Sequence, residues 1–447
     1  MSGSSQNSTA GDQNMQSNIS KAIDKQVKPD AGLGMPATGE LLENIVPGVH
    51  TLGGQRNTLA IETARGVIIV DAGPGGCATE AMIARLRELT PAPVLAIVYS
   101  HGHAGYNRGV PQWLKHAALR GEPRPTTISH EGVPASYQRQ LQAASLQAWI
   151  NNRENREATQ PYTADDCPMP DQTFGSKLVI DGADRTVELL SAPSETDDAL
   201  AVWLPAQRFL YSGLSMSRGI PNVGMPLRTL RDPMRWATTL ERLHALAPLC
   251  VLRESGAPIN DPKDIEDAFL VPVRALRYLR QEVVKRMNAG MNEREILHDM
   301  VYPESFFDHQ FMRPIFGSPD YIVRAIWRTE NGWWDRNPAN LHPARPADAA
   351  NAVLSALLDS THILDEARRL QAQGEIQLAM HVIDLLALSG EDRPDVKAAR
   401  QIKAQLCRQR AMQVSSVVSR QILLSSAEEL LGLPIGSTSA GDPPASF

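Results

Sequence analysis

Cysteine and aromatic residues are scarce in this chain, with 4 Cys and 5% aromatics among 447 residues. Cys77, Cys167, Cys250 and Cys407 lie far apart, which excludes a CxxC metal knuckle and the dense disulfide framework of a small secreted domain. An excess of positive charge is lacking too: 44 Lys and Arg are outnumbered by 50 Asp and Glu, for a net charge of -6. A nucleic-acid partner is therefore not expected. No run approaches the ~18 consecutive apolar residues of a membrane-spanning helix. Residues 1–35, rich in Ser, Asn, Gln and Gly, hold no apolar core of the signal-peptide kind. These absences predict disordered tails over 1–40 and 433–447, no membrane span and a cytoplasmic location.

What is present is enough apolar sequence, 42% of the chain, for two or three domains with cores of their own. From Val46 to Ser255, short apolar runs alternate with turn residues. VHTLGG, NTLAIETA, GVIIVDAG, VLAIVYSH, TTISHE, KLVIDGA, TVELLSAP, LAVWLPAQ and RFLYSG predict strands, and TEAMIARLREL and PMRWATTLERLHAL predict helices among them. The expectation is one α/β domain over 41–261. From Pro262 onward the texture changes to long segments of 3.6-residue period, from DIEDAFLVPVRALRYLRQEVVKRM to the run ending in SSAEELL. These predict amphipathic helices and an all-helical domain over 262–432.

The strongest local chemical signal is YSHGHAGYNRG, Tyr99 to Gly109, directly after the apolar run VLAIVY. Histidines at i and i+2 just past a strand end can turn both imidazoles toward one point, as metal ligands do. The same spacing also arises in loops that bind nothing, so its context has to decide. Upstream, GVIIVDAGPGG delivers Asp71 into a Gly-rich turn, followed by a helix and then the histidine-bearing strand.

That order resembles the metallo-β-lactamase superfamily and its HxHxDH motif. His101 and His103 match the first two histidines, while Gly105 and Tyr106 stand at the aspartate and the third histidine. In the superfamily the first pair holds one ion and the second pair helps to hold another, so the resemblance implies that only the first site survives. Further on, Ser194-Glu195-Thr196-Asp197-Asp198 stands where many members show G-H-T-D-D, which puts Glu195 in the ligand slot. A glutamate there is similar to the alkyl sulfatase branch. The branch's downstream proline and arginine match Pro205 and Arg208, but Leu214 replaces the glutamate that bridges both ions. The stretch Val251 to Pro258, corresponding to a turn with a second-site histidine, contains none. In the helical part, Asn331 to Pro343 (NGWWDRNPANLHP) is close to the GWFDGNPANLHP stretch of that branch's dimerisation domain.

The resemblance covers about Val46 to Leu431 and implies an αββα metallo-β-lactamase-type sandwich followed by an all-helical dimerisation domain, hence a homodimer. The chain stops where the branch continues into a sterol-carrier-like domain. The implied activity is metal-dependent hydrolysis of alkyl sulfates or related small-molecule esters. His101, His103 and Glu195 would hold one zinc per chain, a two-His-one-carboxylate set that leaves a position for a hydroxide nucleophile. Manganese or iron would suit the same donors. Asn222 and Arg228 would steady the substrate anion, with Arg231 a competing choice. Tyr106 either donates a proton or fills the vacated volume, and Asp197 or Asp198 either orients the attacking water or caps a turn. His130 is a packed histidine or a replacement ligand; Trp327, Trp333 and Trp334 are core and interface anchors. Two other readings stay open: a catalytically inactive dimeric scaffold, and a single-metal hydrolase of carbamate, carboxylic or phosphate esters.

Overall fold

The computed structural model describes residues 41–437 apart from 55, 157 and 358. The tail expected over 1–40 lies outside the described residues, as does 438–447 of the C-terminal one. The described chain forms two compact units, one from residues 41–150 and 159–337, the other from 151–158 and 338–437.

The first unit is built on two sheets. In one, β1 (Val49–Thr51), β2 (Leu59–Thr63) and β3 (Gly66–Val70) pair antiparallel, and β3, β4 (Val94–Val98), β5 (Thr126–His130) and β6 (Gln172–Phe174) pair parallel. Parallel neighbours cannot be joined by a tight turn. The crossovers are α1 (Gly76–Leu89), α2 (Val110–Leu119), and then α3 (Val133–Gln142) with α4 (Ala144–Asn155). The other sheet has the order β11-β10-β9-β8-β7. Its strands β7 (Lys177–Asp181), β8 (Thr186–Ser191), β9 (Leu200–Leu204) and β10 (Phe209–Gly213) form an antiparallel meander. The last strand, β11 (Cys250–Arg253), returns parallel to β10 through α5 (Pro233–His244).

Successive side chains of a strand point to opposite faces, and here both faces are apolar. Leu59, Ile61, Ile68, Val70 and Val98 meet Leu189, Leu200, Val202, Phe209 and Leu252 in the core between the sheets. The intervening Ala60, Val67, Ile69 and Ile97 pack with Met82, Leu86, Trp113 and Tyr137 of α1 to α3. On the far side, Ala201, Trp203, Leu210 and Val251 pack with Trp236 and Leu240 of α5 and with α6 (Pro262–Asn288). The layer order is helix, sheet, sheet, helix. Burying the Phe269 and Leu276 side chains of α6 contributes about 1.5–3 kcal/mol each relative to leaving them exposed.

α6 begins where Asp261 accepts from the backbone amides of Lys263 and Asp264, with Pro262 in the first turn, where a missing N–H costs nothing. Its buried face shares one core with α7 (Glu293–Asp299), α8 (Glu304–Phe307) and α9 (Pro319–Asn331), whose Trp327 is 1% exposed. The 261/262 boundary read from the sequence marks where strands give way to helices. Packing divides the chain at 337/338, because the helices up to α9 complete the outer layer of the second sheet. Trp333 is 70% exposed, whereas Trp334 donates its indole N–H to the Asn337 carbonyl at 3.0 Å.

The second unit is helical: α10 (Pro346–Ala356), α11 (Thr361–Ala372), α12 (Ile376–Ala387), α13 (Pro394–Gln413) and α14 (Val417–Leu430). Leu364, Ala367, Ile383, Leu386, Val396 and Ile402 form its core. The apolar period that runs unbroken through Val396 to Leu431 in the sequence is interrupted at 414–416, where Ser416 accepts from the Ser419 amide and starts a new helix. Arg156 pairs with the wholly buried Glu428, whose other oxygen accepts from the Gly436 amide at 2.9 Å.

Candidate active site

The carboxyl ends of β3, β4 and β5 open toward one edge of the first sheet, the usual place for ligands on parallel strands. Asp71 follows β3 at φ 66°, a backbone conformation that costs a non-glycine residue energy and persists only where its surroundings hold it. Its amide donates to the Val98 carbonyl at 2.8 Å, and its carboxylate accepts from the Ser100 amide at 2.8 Å and the Ser100 hydroxyl at 2.6 Å. Burial raises its pKa to about 6, against those hydrogen bonds, so it is ionised at neutral pH.

The Ser100 oxygen lies 2.7 Å from Nδ1 of His101. Since its hydroxyl proton goes to Asp71, that oxygen accepts from Nδ1–H and leaves Nε2 of His101 with a bare lone pair. His101 is fully buried, and Nε2 has no hydrogen-bond partner. Burial and the neighbouring His103 push its pKa well below the ordinary value. For His103 the pKa falls to about 3, through desolvation first and then through Arg231, Arg228, Arg56 and Arg139. Both imidazoles are therefore neutral, with ring centroids 4.6 Å apart. The residue between them must be glycine because a Cβ on Gly102 would lie 2.3 Å from Oδ2 of Asp198 and 2.9 Å from Cβ of Ser136. The Gly102 amide donates to Asp198 Oδ1 at 3.0 Å, which locks the turn after β4 to the loop after β8.

That second loop brings Glu195. Its Oε2 accepts from the Asn222 side-chain amide at 3.1 Å, and its Oε1 pairs with Arg231 at 3.2 Å. Arg231 is 8% exposed and also donates to the Asn222 carbonyl. After β11 comes Glu254, 7% exposed, which accepts from the Tyr106 hydroxyl at 2.7 Å and from Arg56 at 3.0 Å. Burial pushes its carboxyl up to about 7 against the opposing pull of Arg56. Between these groups lies a cavity of about 40 Å³ lined by Arg56, Glu195, Leu214, Arg218, Asn222 and Glu254, among others. It has room for a few waters or one small group.

Of the residues read from the sequence, the structure brings together His101, His103 and Tyr106, whose ring is 4.3 Å from that of His101, and it brings together Glu195 and Asn222. Arg228 is near enough for its charge to act on His103, but the arginine that grips Glu195 is Arg231. Asp197 is not brought to the pocket: its side chain is 75% exposed and pairs with Arg235. The buried member of that dipeptide is Asp198, which holds Gly102 and whose Oδ2 has no partner. His130 is a packed histidine, accepting from the Gly132 amide at 3.1 Å and lying 3.3 Å from the Ser191 hydroxyl. Arg56, Glu254 and the support of His101 by Ser100 and Asp71 were not foreseen. Glu254 lay within the turn scanned for a histidine, so a buried acid at that place was the available signal.

A divalent ion needs neutral imidazoles and a free carboxylate. The imidazole half is built: His101 has a supported Nδ1 and a free, buried Nε2, the arrangement that orients a metal-binding histidine. The carboxylate half is engaged, since both oxygens of Glu195 have partners. Among the described residues no group of three or more His, Cys, Asp or Glu side chains is arranged to hold a metal ion. The donor types fit one ion, provided that Glu195 exchanges Arg231 for it.

The αββα layers and this pocket at their edge define a metallo-β-lactamase-type protein, and residues 51–243 match that superfamily, whose members bind divalent metal. Residues 292–432 match the alkyl sulfatase dimerisation family. The chain thus carries a metallo-β-lactamase superfamily region followed by an alkyl sulfatase dimerisation region, and the latter points to a homodimer. It is 25% identical over 390 residues to a linear primary-alkylsulfatase of a Pseudomonas species, across 83% of this chain and 73% of that protein. It is 22% identical to an alkyl/aryl-sulfatase of Saccharomyces cerevisiae, across 84% of this chain and 61% of that protein. The fold is that of the inverting sec-alkylsulfatase Pisa1 of a Pseudomonas species, with TM-score 0.75, 18% identity, 89% of this chain covered and 66% of the other. The chain therefore spans about two thirds of several of these proteins. Among the described residues no helix is long and apolar enough to cross a membrane.

Proposed function

We propose that the chain hydrolyses sulfate monoesters of the alkyl sulfate class, water and the ester giving an alcohol and hydrogen sulfate. His101, His103 and Glu195 would hold one divalent ion, zinc being the expected one. The observation that carries this reading is the chain from Asp71 through Ser100 to His101, which spends buried polar groups on leaving one imidazole nitrogen free beside a second neutral imidazole. When bound, the ion supplies positive charge and makes water a usable nucleophile near neutral pH. The chain's own residues do the rest. Asn222, Arg228 and Arg231 present donors suited to sulfate oxygens. Glu254 lines the cavity and carries a proton up to about pH 7, which a leaving alkoxide oxygen needs, and Tyr106 holds it in place.

A second reading, an oxyanion-binding scaffold without turnover, is favoured by the engagement of both Glu195 oxygens by Arg231 and Asn222. The deciding experiment is elemental analysis of the purified chain beside His101→Ala, together with hydrolysis of a short alkyl sulfate and of a neutral ester. About one ion per chain, lost with turnover in His101→Ala, is the expected result. No ion and no turnover even when zinc is offered would establish the second reading. Arg228→Ala should slow the sulfate ester and spare the neutral one, which separates sulfatase from general esterase.

A further inference from the structure

We infer that Arg56 is an anion-holding residue of this pocket, its guanidinium set to take an oxygen of a small tetrahedral oxyanion, a sulfate or a sulfate monoester. Arg56 stands in the loop between β1 and β2 at φ 65° and lines the cavity. Its neighbour Asn57 pins that loop to the turn after β11: the Asn57 amide donates to the Glu254 carbonyl at 2.8 Å, and its side chain donates to the carbonyls of Arg253 and Gly256 at 2.9 Å each. Nη1 of Arg56 donates to Glu254 Oε2 at 3.0 Å, and the other Glu254 oxygen is taken by Tyr106 at 2.7 Å. Among the described residues the guanidinium makes no other hydrogen bond, and Arg56 lines the cavity.

Charge points the same way. Both carboxylates of the cavity wall have partners, whereas Arg56, Arg218 and Asn222 line it with donors. Tyr106 and the 251–258 turn stand where the family resemblance expects ligands for a second ion. A Tyr106–Glu254–Arg56 chain occupies them, and these residues do not fit such an ion. The positive charge at that place comes from a side chain. A planar fork with fixed N–H directions matches an oxyanion better than a lysine ammonium would. The inference rests on the proposed function only in taking the ligand to be an oxyanion.

The test is titration calorimetry of inorganic sulfate into the full chain, freed of metal by chelator and dialysis, for wild type, Arg56→Gln, Arg56→Lys and Glu254→Gln, each checked by thermal melting. Wild type should bind sulfate, Arg56→Gln about tenfold more weakly or worse, and Arg56→Lys in between. At pH 8, where Glu254 is ionised, Glu254→Gln should bind more tightly, because the competing carboxylate is gone. Sulfate binding that is unchanged in Arg56→Gln, or absent in wild type, overturns the inference. If Arg56→Gln does not fold, Glu254→Gln decides, and equal or weaker binding there overturns it. Turnover of an alkyl sulfate with binding that ignores Arg56 would keep the proposed function and remove this inference. Arg56-dependent sulfate binding in a protein without metal or turnover would do the reverse.

Discussion

The two sides of the pocket are built on opposite electrostatic plans. On the first-sheet side, a buried carboxylate stands behind a serine, the serine behind His101, and the imidazole ends in an unpartnered nitrogen. On the second-sheet side, each carboxylate already has a guanidinium: Glu195 has Arg231, and Glu254 has Arg56. One side presents neutral imidazoles with a bare nitrogen, while the other sets a guanidinium beside each carboxylate. On the proposed reading, losing metal ligands need not leave a hole, since arginine, tyrosine and leucine supply charge, volume and hydrogen bonds at those places. The difference shows where the two sides compete, at Glu195, which one plan needs as a ligand and the other uses as a counter-ion.

The largest expected effect comes from breaking that competition. Arg231→Met leaves Glu195 without its counter-ion in a site where Arg231 is 8% exposed, and removing one partner of a buried pair costs about 3–5 kcal/mol. The melting temperature should fall without metal and recover when zinc is added, because the freed carboxylate then joins the histidines. A variant that melts low and takes up no zinc would show that Glu195 is no ligand.

The next effect is a pH dependence. Glu254 has its folded-state pKa raised from 4.5 to about 7, so the protonated form is favoured by folding. Its contribution is fully present below pH 4.5 and is lost as pH rises through 7, a span of about 3 kcal/mol. Asp71, raised to about 6, acts with the same sign. Denaturant melts of Glu254→Gln and wild type should agree near pH 4.5 and separate steadily toward pH 8, with the variant the more stable. A constant difference across that range would mean that Glu254 titrates normally.

Smaller again is the removal of support behind His101. Ser100→Ala frees Nδ1 and the tautomer it imposes, and losing such a partner typically weakens metal binding 10–100-fold. Competition against a chromophoric chelator measures it. An unchanged affinity would place the metal elsewhere.

Legibility in the sequence followed the same division. The strands with two apolar faces, such as GVIIV and LAVWL, announced a buried sheet, while the HGH turn drew its meaning from the Asp71 turn and the helix before it, since that spacing alone also arises in loops that bind nothing. The short strands β6 and β11 escaped notice: three residues of QTF and four of CVLR carry no period of their own and are strands only because a parallel neighbour supplies their hydrogen bonds. The arginine side of the pocket was harder to read for a related reason, with Arg231 entering only as an alternative to Arg228. Arg56, Arg231 and Glu254 come from three distant loops, and a lone arginine in a loop looks like any surface residue until the fold buries it. The boundary at 337/338 was hidden because α6 to α9 share the helical period of the later helices while packing on the sheet.

Asp197 gives the smallest prediction and the sharpest control. It stands one residue from Asp198 in a stretch where either acid could have served the site. In the structure the turn after Thr196 sends one carboxylate inward to the Gly102 amide and the other out to solvent, where it pairs with Arg235. An exposed pair of this kind contributes about 0–1 kcal/mol and is screened by salt. Asp197→Ala should therefore shift stability by less than about 1 kcal/mol, with the shift vanishing at high ionic strength, and should leave kcat/KM and sulfate affinity unchanged. Asp198→Ala removes the acceptor for Gly102 and should loosen the histidine turn, lowering metal affinity along with stability. If the two substitutions had equal effects on metal uptake, the loop after β8 would not adopt the inward and outward arrangement that keeps the two acids apart.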